Sequence, residues 1–429
     1  MENLEQLRTQ IDSIDREMAE LFRRRMAVVA RINAYKEAHG LPIADPAREA
    51  AMLTQAYDAS DGVLNSLYGA FHRSLVEISK QYQARLRSPE NVIRLDGRDG
   101  NCEIIIEHGC LHRAGELADL NRRVLIVTDD GVPAQYAQTV ASQCRMPCII
   151  TVPQGEASKS FSHLQTVLER MAAHEMTRQD CVVALGGGAV CDLAGFAASI
   201  YERGVEHYNI PTTLLAQVDA SVGGKTGVNL GGVKNAVGTF SQPRKVLIDP
   251  QVLETLPKRQ MASGLAEALK IGVTLDPELF DIFERKDPLP HLDEIIRRAV
   301  VQKAQIVSAD ERESGVRRVL NFGHTVGHAL EADHPELLHG ECVALGMLAM
   351  SSEPVVQRLL PIYEKLRLPT RCSVNGEPVA ERILHDKKRV GSEILAVEAS
   401  QIGQFVIRPM TMDELLRRLS RIAEGGMTP

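Results

Sequence analysis

Apolar residues recur at alternating steps of three and four along the first 35 residues, and this spacing constrains the fold of the N-terminal segment most strongly. The series is Leu4, Leu7, Ile11, Ile14, Met18, Leu21, Val28, Ile32 and Tyr35. Such a period is typical of one long helix that packs along a single face. Residues 40–42 (Gly-Leu-Pro) end this helix, and Asp45 followed by Pro46 predicts the start of a second. A third helical stretch runs from about 63 to 86, so the segment should be all-α.

Arg25 stands in this series where an apolar residue is expected. Its guanidinium should point into the helical bundle, where an unpaired charge is costly, so an anion is expected to meet it. Lys36 lies roughly 20° around and ~16 Å along the same helix, which places a second cation on that side. Two partners remain open: a buried ion pair with an acid such as Glu49, or an anionic ligand.

A set of polar residues in this segment resembles the active site of the helical class of chorismate mutase. Its members are Arg8, Arg25, Lys36, Asp45, Arg48, Glu49, Ser79 and Gln83. The resemblance implies carboxylate binding by Arg8 from a partner subunit, Arg25 and Arg48, ether-oxygen binding by Lys36 and Gln83, and ring-hydroxyl binding by Glu49. The implied reaction converts chorismate to prephenate without proton transfer, by holding the reactive conformer. A catalytically silent, regulatory domain is the alternative.

From residue 101 the sequence alternates between strand-like and helical stretches. The strand-like runs are CEIIIEH, RVLIVTD, CIITVP, CVVALGGG, HYNIPTT and KVLIDP. This alternation is typical of an α/β nucleotide-binding layer. After residue 261 helices dominate, apart from a strand pair around 393–408 and a last helix capped by Thr411 and Glu414. We therefore predict a multidomain chain: an all-α domain (1–88), a linker (89–100), an α/β Rossmann-like domain (101–260) and a mainly α-helical domain (261–429).

Composition excludes several classes of partner. The 429 residues carry a net charge of −7, which offers no electrostatic footprint for nucleic acid or an anionic membrane. No apolar stretch approaches the length that spans a bilayer, and the acidic N-terminus does not resemble a secretory signal. The eight cysteines form no CxxC pair. We therefore expect free thiols in a cytoplasmic protein whose partners are small molecules.

Three glycines, Gly186 to Gly188, follow an apolar strand and precede Asp192. Glycines at this place let backbone amides approach a pyrophosphate, although a simple tight turn has the same appearance. The GGKTG segment at 223–227 mimics a phosphate-binding loop, but such a loop requires glycine where this chain has Asp219. These glycines alone are only a weak indication of a nucleotide-binding site.

Several motifs together resemble 3-dehydroquinate synthase, and the resemblance extends to the C-terminus. They are GEASK at 155–159, GGGAVCD at 186–192, PTTLLAQVDASVGGKTGVN at 211–229 and KNAVGTF at 234–240. The resemblance implies NAD as cofactor, and it implies cofactor contacts by Asp129, Glu156, Lys159, Gly187, Gly188, Asp192, Thr212, Thr213, Asp219, Lys225, Lys234 and Thr255. Two positions depart from the family pattern: Gly131, where Asn is common, and Gln260, where an acid is common.

Glu267, His324 and His339 are candidate metal ligands. One carboxylate and two imidazoles leave part of a zinc coordination sphere open, as catalytic sites require. Because His324 and His328 are one helical turn apart, a rival assignment makes both of them ligands. The resemblance favours His339 and gives His328 a proton-transfer or hydrogen-bonding role. Zinc and cobalt both remain open.

Cations cluster in the same motifs and suit a phosphorylated, carboxylated sugar acid. The implied catalytic set is Arg203, Lys225, Asn235, Lys270, Lys303, Arg317, Asn321, His328 and Lys387. The 4, 3, 4 spacing of Arg317, Asn321, His324 and His328 predicts one face of a single helix. The resemblance implies conversion of 3-deoxy-D-arabino-heptulosonate 7-phosphate to 3-dehydroquinate and phosphate, in a homodimer through both domains with Arg203 reaching the other subunit. Other sugar-phosphate cyclases and, more distantly, iron-type alcohol dehydrogenases are the alternatives.

Overall fold

The computed structural model describes residues 3–55, 62–86, 91–97, 100–374, 379, 389–390 and 393–424. The chain divides into two compact units, residues 1–91 and 92–429. No helix in the described part of the chain is both long enough and apolar enough to cross a bilayer.

The first unit consists of helices, as predicted. They are α1 (Leu4–Ala38), α2 (Pro46–Gln55) and α3 (Gly62–Leu86). Asn3 caps α1 reciprocally with Gln6. Asp45 starts α2 in the same way: its Oδ1 accepts from the Arg48 amide at 3.0 Å, and Glu49 Oε1 accepts from the Asp45 amide at 3.2 Å. These pairs satisfy amides that have no partner inside the helix.

The apolar series of α1 is largely uncovered by the described residues of its own unit. Leu4, Ile11 and Leu21 are 64%, 57% and 59% exposed, and only Val29 and Asn33 of α1 are buried. The helix has 35 residues and is therefore about 52 Å long. An apolar stripe of that length in water is characteristic of an interaction face.

The second unit is built on a seven-stranded sheet with strand order β1-β2-β9-β6-β5-β3-β4. The strands are β1 (Val92–Leu95), β2 (Cys102–Ile106), β3 (Arg123–Asp129), β4 (Met146–Val152), β5 (Cys181–Gly186), β6 (Glu206–Pro211) and β9 (Lys245–Ile248). All neighbours pair in parallel except β1 and β2. The six predicted strand runs are thus all strands, and β5, at the centre, is buried along its whole length.

Strand β1 and a two-stranded hairpin are among the elements that were not predicted. β1 lies within residues 89–100, the segment expected to be a linker, because Val92, Ile93 and Leu95 pair with β2 and Leu95 is fully buried. The hairpin of β7 (Lys225–Leu230) and β8 (Val233–Phe240) is antiparallel and connected through Gly231 and Gly232, both at positive φ. Its glycine-rich sequence lacks the branched residues that usually indicate strands.

Helices cover the sheet and form the remainder of this unit. The first group is α4 (Ala114–Leu117), α5 (Ala134–Ala141), α6 (Phe161–Ala173) and α7 (Gly188–Ile200). The second is α8 (Lys258–Thr274), α9 (Pro277–Arg285), α10 (Leu292–Ala309), α11 (His324–Asp333), α12 (His339–Met350) and α13 (Glu353–Leu366). Strands β10 (Arg389–Val390), β11 (Glu393–Gln401) and β12 (Gln404–Met410) precede α14 (Met412–Leu419). α8 and α12 are buried along most of their length, and the largest core joins them to β2 and β9.

Candidate functional sites

Arg25 points into the first unit, as predicted from its place in the apolar series. Its guanidinium donates to the Ser79 hydroxyl and, at 3.3 Å, to the carbonyl of Leu75 on α3. No carboxylate contacts it among the described residues, because Glu49 pairs instead with Lys80 at 3.3 Å. Burial lowers the pKa of Arg25. The alternative of an ion pair between Arg25 and Glu49 is therefore wrong within a single chain. The Arg25 guanidinium is hydrogen-bonded to neutral acceptors instead.

Gln83 adds a second polar group beside Ser79. It is 6% exposed, its amide donates to the Ser79 carbonyl at 3.3 Å, and its Oε1 has no described hydrogen-bond partner. Lys36 donates to the Ile43 carbonyl at 2.6 Å, and Arg8 and Arg48 are exposed. The chain alone therefore brings together Arg25, Ser79 and Gln83, but not the full predicted set. Lys80, the partner of Glu49, was missed, although its position next to Ser79 on the same helix was available.

Glu267, His324 and His339 converge in the second unit from three different helices. Oε1 of Glu267 lies 3.6 Å from His324 Nε2 and 3.4 Å from His339 Nε2. The Nδ1 of His324 lies 3.1 Å from the Phe322 carbonyl, a contact that fixes Nε2 as the nitrogen facing Glu267. His328 joins the group, with ligand atoms of His324, His328 and His339 all within 4.8 Å of one another.

The donor set fits a divalent transition metal. Glu267 is fully buried, and its Oε1 has no described hydrogen-bond partner, which is costly unless a cation meets it. One carboxylate oxygen and two or three imidazole nitrogens are ligands that Zn²⁺ and Co²⁺ accept. Burial would raise the pKa of Glu267, but Lys270 and then His339 outweigh it and hold the pKa at about 2. The carboxylate is therefore ionised, as a metal ligand must be.

Glu331 contacts His339 on the side of the imidazole away from Glu267, and it was not predicted from the sequence. Its Oε2 lies 3.4 Å from His339 Nδ1, and its Oε1 pairs with Lys234 Nζ at 2.9 Å. Burial would raise the pKa of Glu331, but His339 and Lys234 lower it to about 2. The carboxylate therefore orients a candidate ligand and one predicted cation together. Its spacing of seven residues from His324 on α11 was the available signal.

Lys303, which is buried, pairs with Asp219. Lys303 Nζ donates to both the carboxylate and the carbonyl of Asp219, which lies in a π-helical turn at Ala216–Ala220. Burial, helped by Lys270 and Arg317, outweighs the attraction of Asp219 and lowers the pKa of Lys303 to about 8. The pKa of Asp219 falls below its usual range, because Lys303 and Lys270 outweigh burial. Arg317 is 2% exposed and donates to the Gly223 carbonyl at 2.9 Å.

Glu313 occupies the space between two predicted substrate-binding residues. Its carboxylate accepts from Lys225 and from the Asn321 side-chain amide. Its backbone φ of 58° is unusual for a residue with a side chain, so the surrounding fold holds it there. Sequence reasoning missed Glu313 because it lies in a loop with no helical spacing to its partners.

The prediction of one helix face for Arg317, Asn321, His324 and His328 is wrong. Arg317 and Asn321 belong to a 3₁₀ helix, Val316–Asn321, whereas α11 begins at His324. Gly323, with a φ of 77°, interrupts the helical backbone between the two elements, and a Cβ there would overlap the Val343 carbonyl. His324 and His328 do share a face, with ring centroids 5.2 Å apart. The two pairs therefore lie on two successive elements rather than on one helix face.

The predicted cofactor residues gather at the carboxyl ends of the parallel strands. Asp129 ends β3, and a cavity of about 520 Å³ opens there between β3 and β4, lined by residues 128–134 and by Thr151. The strand order reverses between β3 and β5, and ligands of open α/β sheets bind at such a reversal. Gly187 and Gly188 start α7 as predicted, and a Cβ on Gly188 would lie 2.9 Å from Ala220.

Lys159 connects two of these cofactor residues. Its Nζ donates to Asp192 at 2.7 Å and lies 3.7 Å from Glu156, and its side chain is 5% exposed. Thr212 is buried directly after β6, and Thr213 Oγ1 accepts from the Ala216 amide at 3.2 Å. The Thr255 hydroxyl, in the 3₁₀ helix that follows β9, lies 3.3 Å from the Tyr136 hydroxyl.

Gly131, Arg203 and Lys387 were also singled out in the sequence. At Gly131, a Cβ would overlap the side chain of Gln154, so Gln154 fills the space that a side chain at 131 would take. Arg203 is exposed in a 3₁₀ turn with a φ of 67°, and its side chain makes no hydrogen bond or ion pair with another described residue. Lys387 lies outside the described residues.

Family models match three consecutive parts of the chain. Residues 7–84 match chorismate mutase type II, residues 149–263 match the 3-dehydroquinate synthase N-terminal model and residues 264–389 match the 3-dehydroquinate synthase C-terminal model.

Full-length relatives agree with these matches. The 3-dehydroquinate synthase of Streptococcus suis (strain 05ZYH33) is 40% identical over 341 residues, covering 74% of this chain and 96% of that protein. The 3-dehydroquinate synthase of Streptococcus pneumoniae (strain JJA) is 39% identical over 347 residues, covering 75% of this chain and 98% of that protein.

Solved structures share the fold of the second unit. The 2-epi-5-epi-valiolone synthase of Streptomyces hygroscopicus subsp. jinggangensis 5008, with NAD⁺ and Zn²⁺ bound, has a TM-score of 0.69 and 29% identity and covers 76% of this chain and 97% of that one. An iron-containing alcohol dehydrogenase of Corynebacterium glutamicum has a TM-score of 0.55 but 15% identity, over 79% of this chain and 98% of that one, and shares the fold alone. The chain therefore belongs to the 3-dehydroquinate synthase family and carries a chorismate mutase type II domain at its N-terminus.

Proposed function

We propose that this chain catalyses two reactions of aromatic biosynthesis, each in its own unit. The second unit converts 3-deoxy-D-arabino-heptulosonate 7-phosphate to 3-dehydroquinate and phosphate, and the first converts chorismate to prephenate. The synthase assignment rests on one observation. His324 and His339 converge on Oε1 of Glu267, a buried carboxylate oxygen that has no described hydrogen-bond partner and is surrounded by cations. Residues 1–88 form the mutase domain, and 101–260 and 261–429 form the cofactor and metal halves of the synthase.

Glu267, His324 and His339 are the proposed metal ligands, with His328 as the fourth group at the site. When bound, NAD supplies reversible hydride transfer and the metal, zinc or cobalt, acidifies a substrate hydroxyl. The residues proposed for NAD are the predicted set at the strand ends, from Asp129 to Thr255. Asp129 lines the cavity, where a carboxylate suits the hydroxyls of a ribose.

The cations of the second unit bind the phosphate and the carboxylate of the sugar acid. Lys225 and Asn321 both contact Glu313 in the free protein, so an incoming anion replaces the Glu313 carboxylate as their partner. Lys303 and Arg317 are buried and fixed by Asp219 and by backbone carbonyls, so they need little reorganisation on binding. Lys270 stays paired with Glu267 and holds that carboxylate ionised. Asn235, Arg203 and Lys387 complete the proposed set.

The substrate assignment within the family rests on particular side chains. Cyclases that act on other sugar phosphates are expected to change the residues corresponding to Asn235, Lys303, Asn321, His328 or Lys387. All five are present here in the dehydroquinate synthase pattern. An alcohol dehydrogenase has no need for this number of phosphate-binding cations.

In the first unit, Arg25, Ser79 and Gln83 form one half of a chorismate pocket. Among the described residues, Arg25 meets only neutral acceptors and Gln83 Oε1 has no hydrogen-bond partner, which suits a dicarboxylate ligand with an ether oxygen. Arg8 is exposed on α1, on a helix whose apolar series is also exposed. We propose a homodimer in which a partner α1 covers that series and supplies its Arg8. All eight cysteines are free, which supports a reducing, cytoplasmic location.

A paired assay on one preparation of the whole chain tests both activities. Chorismate loss and phosphate release from the heptulosonate phosphate are followed in the same sample, with NAD and Zn²⁺ present. Arg25→Ala should abolish only chorismate loss, and Glu267→Ala should abolish only phosphate release, so each variant is the control for the other. Chorismate loss at the uncatalysed rate in the parent protein would leave the first unit as a silent, regulatory domain.

A further inference from the structure

Asn229 lies at an irregular position of the β7–β8 hairpin. The pairing register shifts between Val228 and Leu230, which leaves Asn229 out of the ladder. Its backbone N–H donates instead to the Lys159 carbonyl at 2.9 Å. The hairpin is therefore attached through its backbone to the loop that contains Glu156 and Lys159, two proposed NAD contacts.

The side chain of Asn229 makes a second connection with both of its ends. Nδ2 donates to Glu156 Oε1 at 2.8 Å, and Oδ1 accepts from the Asn235 amide at 2.8 Å. A carboxylate can only accept and a backbone N–H can only donate, so the orientation of the Asn229 amide is determined by its partners. Aspartate could not donate to Glu156, and alanine could reach neither partner.

Asn235 is held in an unusual conformation by these contacts. Its φ is 50°, a left-handed value that is uncommon outside glycine, although asparagine adopts it more readily than most residues. The Asn229 side chain fixes its amide, and Lys159 Nζ donates to its Oδ1. Lys159 also pairs with Asp192 at the start of α7. A closed network of Glu156, Asn229, Asn235, Lys159 and Asp192 therefore joins proposed cofactor contacts to a proposed substrate contact.

We propose that Asn229 is a positioning residue that couples the binding of NAD to the binding of the phosphorylated substrate. This inference rests on the proposed function of the second unit. NAD that orders Glu156 and Lys159 also orders Asn235 through Asn229, and an anion that orders Asn235 strengthens NAD binding in return. Such reciprocity is required of any coupling between two binding sites.

Calorimetric titration of NAD into the metal-loaded, full-length protein tests the coupling, with and without saturating inorganic phosphate, the product anion. In the parent protein phosphate should tighten NAD binding by about fivefold or more. In Asn229→Ala and Asn229→Asp, the ratio of the NAD dissociation constants without and with phosphate should fall to about one. The KM values for NAD and for the sugar phosphate should both rise by a larger factor than kcat falls. Thr239→Ala, which removes a side-chain contact between Thr226 and Thr239 on the same hairpin, is the matched control and should keep the parent ratio.

Three results would overturn the inference: no phosphate effect in the parent, an unchanged ratio in Asn229→Ala and Asn229→Asp, or an equal loss of the ratio in Thr239→Ala. Thermal melting of each variant establishes that it is folded, and Asn229→Ser provides a further variant if both others unfold. Phosphate release from the heptulosonate phosphate is measured on the same parent sample. A parent protein that releases no phosphate contradicts the proposed function. If the parent is active but the Asn229 variants keep its ratio of NAD affinities with and without phosphate, only this inference is contradicted.

Discussion

Oε2 of Glu331 lies 3.4 Å from Nδ1 of His339, so the imidazole presents its other nitrogen to Glu267. Carboxylates behind ligating histidines typically contribute a factor of about 10–100 to metal affinity. We expect Glu331→Gln to weaken Zn²⁺ or Co²⁺ binding by about tenfold, measured by competition with a chelator. Glu336→Gln, which alters an exposed partner of His334, is the control. Equal metal affinities for parent and Glu331→Gln would remove Glu331 from the site.

Glu267 and Lys270 form a fully buried ion pair on α8. In metal-free protein, Glu267→Gln should lower the free energy of unfolding by about 3–5 kcal/mol, because it leaves a buried ammonium without its partner. Glu267→Gln combined with Lys270→Met should recover most of that loss while failing to bind metal. Denaturant titration measures both effects, and Glu284→Gln, at a surface pair with Arg358, should change stability by less than about 1 kcal/mol. A double variant no more stable than Glu267→Gln would refute the pairing argument.

Lys303 should give the synthase reaction a falling limb on the alkaline side. Its pKa is about 8 rather than 10.5, and only the ammonium form binds an anion. As the pH rises through about 8 the proton is lost, so the KM for the sugar phosphate should rise and kcat/KM should fall. Lys303→Arg keeps its charge at every pH in this range and should remove the limb from whatever activity remains. A parent profile that stays flat to pH 9.5 would show that Lys303 remains charged.

The mutase pocket should be shared between two copies of the first unit. Arg25→Ala and Arg8→Ala should each lower the rate of chorismate loss by about 100-fold or more. Because each removes a different half of the pocket, refolding the two variants together should restore about a quarter of the parent rate, as half of the dimers contain one intact pocket. Arg16→Ala, on the same helix, is the control variant. A mixture no more active than its components would place Arg8 and Arg25 in the same subunit's pocket.

The sequence by itself determined most of the regular elements, because their signals are local. The period of three and four from Leu4 to Tyr35 gave a helix from Leu4 to Ala38, and the six apolar runs became six strands of one sheet. Arg25 was recognised as inward-facing from its position in that series alone. The family resemblance was equally a property of the sequence, since it rested on motifs such as GEASK and GGGAVCD.

Only the tertiary structure decided which groups meet. Glu313 and Glu331 were not predicted as site residues, yet each pairs with a predicted cation, because loop 310–315 and α11 bring them there. The break at Gly323 turned an expected single helix face into two elements. The β7–β8 hairpin, with too few branched residues to be recognised as strands, places Asn229 between Glu156 and Asn235. Helix and strand patterns depend on neighbours a few residues apart, whereas these contacts join residues that the chain separates by up to 97 positions, as Lys234 and Glu331 are, and depend on how the whole core packs.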